Sequence, residues 1–143
     1  DPAMTRFNIS LQEGVEMVLW ALENALGGEI FVPKIPSCRI TDIAHAIGPG
    51  CEHRIVGIRP GEKIHEELIT ASDSYSTLDL GPYYAILPKA NDHTLESYGE
   101  LTGARPVESG FSYSSASNPD FLSVEQLREL IRLHVNPSFV ASQ

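Results

Sequence analysis

Cysteine is scarce in this chain. Cys38 and Cys51 are its two thiols. They form no Cys-x-x-Cys unit, and two lone thiols are a simpler reading than a disulfide between them. No apolar run approaches the ~20 residues that span a bilayer, and nothing at the start reads as a secretory leader. A cytoplasmic location is the expectation. Basic residues are few: 10 Lys and Arg stand against 19 Asp and Glu, for a net charge of -9. Such a chain does not neutralise phosphate backbones by bulk charge, and an anionic bilayer repels it. Neither nucleic acid nor membrane is expected as a partner. Several site motifs are missing too. There is no Gly-x-Gly-x-x-Gly after a strand, no Gly-x-x-x-x-Gly-Lys phosphate loop and no Gly-x-Ser-x-Gly elbow. His65-Glu66-Glu67 begins like a zinc-protease motif, but Ile69 stands where the second histidine belongs. The 5 histidines are scattered, without cysteines at zinc spacing. A metal site and a complete set of catalytic residues are therefore not expected in this chain.

What is present is an ordinary globular composition. The 143 residues are 42% hydrophobic and 20% charged, which suits one compact unit over 1–143 with its own core. After an extended start at Met4–Ile9, Ser10 and Glu13 form a capping box. Val15, Val18, Leu19, Leu22, Ala25 and Leu26 follow at helical spacing, and Gly27-Gly28 stops the helix. Glu29–Val32 reads as a strand and Ile40–Ile47 as a helix. Arg54–Ile58 reads as a second strand and Glu62–Ile69 as a short helix. Residues 10–69 thus alternate helix and strand, an α/β order with the two strands in one parallel sheet. Within 72–110, Thr77–Leu80 and Tyr83–Leu87 flank Gly81-Pro82 as a hairpin. Asn91–Gly110 is a loop or weak helix. Ser123 and Gln126 cap a last helix over 123–135, and the tail to Gln143 frays.

The most loaded segment is Ile58-Arg59-Pro60-Gly61-Glu62-Lys63. An arginine ends an apolar run, and a carboxylate follows a tight turn. In open α/β sheets ligands bind beyond the carboxyl ends of strands. The planar fork of Arg59 suits a phosphate, and Glu62 suits a pair of sugar hydroxyls. On residues alone, a surface salt bridge of Arg59 with Glu62 or Glu66 is the plainer account. Arg6, in Thr5-Arg6-Phe7, is a second candidate, with a solvated terminal arginine as its plainer account. Tyr113-Ser114-Ser115 with Asn118 reads as a polar turn satisfying its own backbone. Lys63 reads as solvated, His65 as a helix-surface residue, Trp20 as packed, and both cysteines as inert thiols.

Several stretches acquire meaning together. They are Met4-Thr5-Arg6-Phe7, Gly28–Ser37, Ile40-Thr41-Asp42, Gly57–Glu66, and Phe111–Ser115 with Asn118. In this order they resemble the C-terminal part of inverting UDP-N-acetylglucosamine 4,6-dehydratases, within the extended short-chain dehydrogenase/reductase superfamily. The resemblance runs from Asp1 to about Leu133. It implies an α/β, Rossmann-type parent, of which this chain holds the closing strands and helices and a small substrate-binding domain. It implies an NAD(P)-binding domain, with a Tyr-x-x-x-Lys pair, lying N-terminal to Asp1, so that this chain is a fragment inactive on its own. In the family reaction sugar C4 is oxidised, water leaves across C5 and C6, and C5 is inverted. The product is a 4-keto-6-deoxy UDP-sugar for bacterial surface polysaccharide or pseudaminic acid. The resemblance further implies Arg6 and Arg59 at the diphosphate and Glu62 at the uridine ribose. Tyr83 and Tyr84 precede Lys89 at the wrong spacing for the catalytic pair. Unpaired sheet edges in such a fragment predict self-association. The alternatives are a stand-alone nucleotide-sugar-binding module and a fragment of a UDP-sugar epimerase.

Overall fold

The computed structural model describes residues 1–88 and 94–141. Lys89, the first residues of Asn91–Gly110 and the end of the tail lie outside these. In chain order the elements are β1 (Thr5–Phe7), α1 (Leu11–Asn24), β2 (Ile30–Pro33), β3 (Ser37–Arg39), α2 (Ile40–Ile47), β4 (Glu67–Ile69), a 3-10 turn (Asp73–Ser76), β5 (Thr77–Asp79), β6 (Tyr83–Ile86), α3 (Leu95–Thr102), β7 (Arg105–Pro106), β8 (Tyr113–Ser114) and α4 (Val124–His134). The length suggests one compact unit; the chain forms two. One gathers Asp1–Ser10, Ile35–Glu66 and Ser114–Gln143, the other Leu11–Lys34 and Glu67–Tyr113. Each is assembled from segments distant in sequence, so there is no single linker to be read as a boundary.

In the first unit β1 pairs antiparallel with β3, with Arg6 opposite Cys38. Its core is Cys38, Ala46 and Leu127, with Ile43, Leu122, Val124 and Ile131 packed against them. α2 forms where the apolar spacing places it, and α4 carries the capping box of Ser123 and Gln126. In the second unit β2, β6, β5 and β7 form one sheet in that order, antiparallel throughout. α3 adds a capping box of Thr94 and Ser97 and a left-handed cap at Gly103. Leu78, Ala85, Leu87, Tyr98 and Ala104 are the buried core of this unit.

The mixture of helices and sheets fits an α/β class, and the Gly81-Pro82 hairpin forms as expected. Three local expectations are overturned. Arg54–Ile58 is not a strand, and Ile55, Val56 and Ile58 are exposed. Gly57 sits at φ +76, which breaks the extended run. The parallel sheet is therefore absent among the described residues, and β2 pairs instead with β6, Phe31 opposite Ala85. A hairpin offers an antiparallel partner at once, whereas a parallel one needs a long crossover. Glu62–Ile69 is no helix either; it is turn, then β4. Finally, α1 forms over the predicted span, but Val15, Val18, Leu19, Leu22 and Leu26 are exposed and no residue of the helix is fully buried. Trp20 does pack, edge-on to Phe31 at 5.1 Å and tilted on Tyr83 at 4.4 Å.

Candidate functional site

Pro60 presets φ for a turn, and Gly61 follows at φ +85, a left-handed value that costs glycine nothing. The chain reverses from Arg59 to Glu62, and the Glu62 N–H donates to the Arg59 carbonyl at 3.0 Å. The Glu62 carboxylate folds back on the same turn: its Oε2 accepts from the Arg59 backbone N–H at 3.0 Å. Glu62 therefore engages the main chain of Arg59 and not its guanidinium. The Arg59 side chain is exposed and has no ion pair among the described residues. Glu66, the other suggested partner, instead faces Arg6, Nε to Oε1 at 3.5 Å. The plainer account of Arg59, a surface salt bridge, has no counterpart in this geometry.

Arg6 is not a solvated terminal arginine. From β1 its Nη1 donates to the carbonyls of Thr5 at 2.7 Å and Ile64 at 3.0 Å, and its Nη2 donates to Lys63 O at 2.9 Å. A guanidinium has five N–H groups. With Nε turned to Glu66, one Nη2 hydrogen is left. Arg6 is thus a clasp across the segment that follows the Arg59–Glu62 turn. These bonds involve a charged donor, each worth roughly 1.5–3 kcal/mol when shielded. Part-exposure places them at the low end.

Behind the clasp, Thr5 and Ser115 are buried, at 6% and 0% exposure. Thr5 Oγ1 lies 2.7 Å from Ser115 Oγ and 2.8 Å from His65 Nδ1. Ser115 Oγ accepts from the Glu66 N–H at 2.9 Å, and Ser115 N–H donates to Glu66 O at 2.8 Å. His65 is exposed, as a surface residue should be, yet its Nδ1 bonds the buried Thr5 hydroxyl in a part-buried contact. Asn118 holds the neighbouring chain by donating to Ile35 O at 2.9 Å and Ser37 Oγ at 3.0 Å. Ser117 and Asn118 N–H do close on Ser114 O, as a self-satisfying turn should. The side chains of Ser115 and Asn118 reach much further than that reading allows.

Elsewhere the chemistry is structural. Burial first, then Asp79, pushes the Tyr84 phenol above its ordinary range. The Lys34 ammonium, 4.5 Å from the Tyr84 ring centre, is bonded to Asp79 at 2.6 Å. Lys34 is committed to Asp79, and it precedes Tyr84 in the chain instead of following it at Tyr-x-x-x-Lys spacing. Cys38 is buried, and burial first, then Asp42, raises its thiol against the opposing Arg6. It and Cys51 are free thiols. An open groove of about 250 Å³, lined by Ile40, Thr41, Ala44, His53, Arg54 and Ile55 among others, does not include Arg6, Arg59 or Glu62.

Residues 1–88, which carry β1, the clasp and the Arg59–Glu62 turn, match the family described as "Polysaccharide biosynthesis protein". The chain belongs to that family. A Campylobacter jejuni member-like relative, the inverting UDP-N-acetylglucosamine 4,6-dehydratase, is 49% identical over 137 residues, which are 92% of this chain and 40% of that protein. A UDP-glucose 4-epimerase of Rickettsia canadensis is 36% identical over 135 residues, 92% of this chain and 39% of that one. Among solved structures, Pen from Bacillus thuringiensis superposes with a TM-score of 0.74 at 27% identity, over 92% of this chain and 39% of its own. The chain therefore spans about two fifths of the length of these proteins. Within this family's fold, sequence reasoning missed Thr5, Ser115 and the Lys63 and Ile64 carbonyls. Their partners lie 49 to 110 residues away, and no local spacing announces such contacts.

Proposed function

We propose that this chain is the nucleotide-sugar-binding portion of a C5-inverting UDP-N-acetylglucosamine 4,6-dehydratase, serving synthesis of a bacterial surface polysaccharide or pseudaminic acid. The observation that carries this reading is the Arg59–Glu62 turn. It presents an unpaired guanidinium beside a carboxylate already fixed by the backbone. The Arg59 fork takes the diphosphate through paired charge-assisted bonds. Glu62 keeps Oε1 for the ribose hydroxyls while Oε2 stays on the turn. Arg6 supplies positive charge and holds the rim of the cradle, with one N–H left for a phosphate oxygen. Both strongest contacts act on the nucleotide, remote from the sugar carbons that react, so they contribute binding and orientation.

The proposed reaction would draw its hydride chemistry from NAD(P). The residues described here do not fit that cofactor. They offer no glycine-rich loop after a strand, and the lysine beside Tyr84 is committed to Asp79. The cofactor therefore belongs to another part of the working protein. The epimerase reading shares the same nucleotide grip, and only the product separates the two: a 4-keto-6-deoxy sugar against a C4 epimer. Calorimetric titration of the chain with UDP tests the grip. Binding by the parent, and a loss of roughly ten- to several-hundred-fold in Arg59→Ala, is expected. Equal affinities in the two proteins overturn it.

A further inference from the structure

We propose that Thr5 is a positioning residue for the nucleotide grip. Its buried hydroxyl, with that of Ser115, forms a latch that fixes the His65–Glu66 segment and so the Arg59–Glu62 turn just before it. This deepens the proposed function and rests on it. Three chain segments meet at the latch: Thr5 on β1, His65 60 residues later and Ser115 110 residues later. Thr5 and Ser115 are both buried, so each hydroxyl proton must find its acceptor inside.

One arrangement gives each hydroxyl proton an acceptor. Ser115 Oγ accepts the Glu66 N–H. Its own proton then points to Thr5 Oγ1, and the Thr5 proton to His65 Nδ1. The reverse order leaves the Ser115 proton buried without an acceptor. The chain of donors therefore has one direction and ends on the loop residue His65. The main chain is pinned at the same place: Thr5 N–H donates to Ile64 O at 3.0 Å, beside the Arg6 bonds to Lys63 and Ile64. The side chain of Thr5 thus decides whether 63–66 keeps one position, and the turn at 59–62 hangs from that anchor. Thr5 touches no ligand in this arrangement. Its effect on binding passes through the loop.

Two substitutions separate this from a general role in folding. Thr5→Val keeps the β-branched shape and removes the hydroxyl. Thr5→Ser keeps the hydroxyl. Amide hydrogen exchange of the ligand-free chain reads the latch directly, and calorimetric titration with UDP reads its consequence. Thr5→Val is expected to speed exchange at Glu66 at least about tenfold and to weaken UDP by about the same factor, the equivalent of one buried hydrogen bond. Thr5→Ser is expected to restore both. If Thr5→Val lowers only the melting temperature, with Glu66 exchange and UDP affinity as in the parent, the latch is wrong. If Arg59→Ala leaves UDP binding unchanged, or the parent does not bind UDP, the functional reading fails, while Glu66 exchange in Thr5→Val still judges the latch. Should Thr5→Val not fold, Thr5→Ala together with Ser115→Ala serves the same comparison, and normal Glu66 exchange in both overturns the proposal.

Discussion

At the scale of single residues, Glu62 and Arg6 have separable duties. Glu62→Gln keeps an oxygen for the Arg59 N–H but removes the charge. It is expected to weaken UDP less than Arg59→Ala does, by about three- to tenfold, and to leave the melting temperature unchanged. Glu62→Ala also removes the acceptor that closes the turn, so calorimetry should show a larger loss. Arg6→Met removes three side-chain bonds to main-chain carbonyls. A fall of several degrees in melting temperature is expected, on the order of 1–3 kcal/mol in a unit of this size. An unchanged melting curve would mean that the clasp is not made in solution.

At the scale of elements, the clearest test concerns the end of α1. Glu29 receives the Leu26 and Gly27 N–H groups, each at 2.7 Å. Burial pushes its carboxyl up, but backbone bonds at Glu29, Leu26 and Gly27 and the bond with Tyr98 outweigh it, so it stays ionised below the ordinary 4.5. A carboxyl depressed on folding contributes stability above its unfolded value and loses it as pH falls through its folded one. Thermal melts of the parent should therefore weaken on acidification below about that pH, and Glu29→Gln should flatten this part of the profile. Much of the element order was legible beforehand. The spacing of Ile40, Ile43, Ala44 and Ile47 placed α2, and Gly81-Pro82 placed the hairpin. What failed depended on partners rather than on local propensity. Ile55, Val56 and Ile58 have β-branched side chains and no strand partner among the described residues, and the stripe of α1 has the right period but an exposed face. Arg59 and Glu62 stood out because a Pro-Gly turn with flanking charges is a local signal. Thr5 and Ser115 stood in noted stretches, but their contact was not legible, since it exists only once distant segments meet.

At the scale of the molecule, the exposed stripe of α1, with Val18 59% and Leu22 77% exposed, makes self-association the expectation at micromolar concentration. Leu22→Lys, on an open face, is expected to leave folding nearly unchanged and to lower the sedimenting mass toward the monomer. A parent that sediments as a monomer contradicts it. The proposed reading assigns catalysis to a longer protein. With no fit for NAD(P) among the described residues, the chain incubated with UDP-N-acetylglucosamine and NAD(P) is expected to form no 4-keto product, and turnover would show that the cofactor site was misjudged. The nucleotide cradle itself is tested most directly by amide chemical-shift mapping of the chain during titration with UDP. The largest shifts are expected at Arg59, Gly61 and Glu62, with smaller ones at Arg6 and through His65 and Glu66. Shifts confined to the groove of Ile40, His53 and Arg54, or no shifts at saturating UDP, would contradict it.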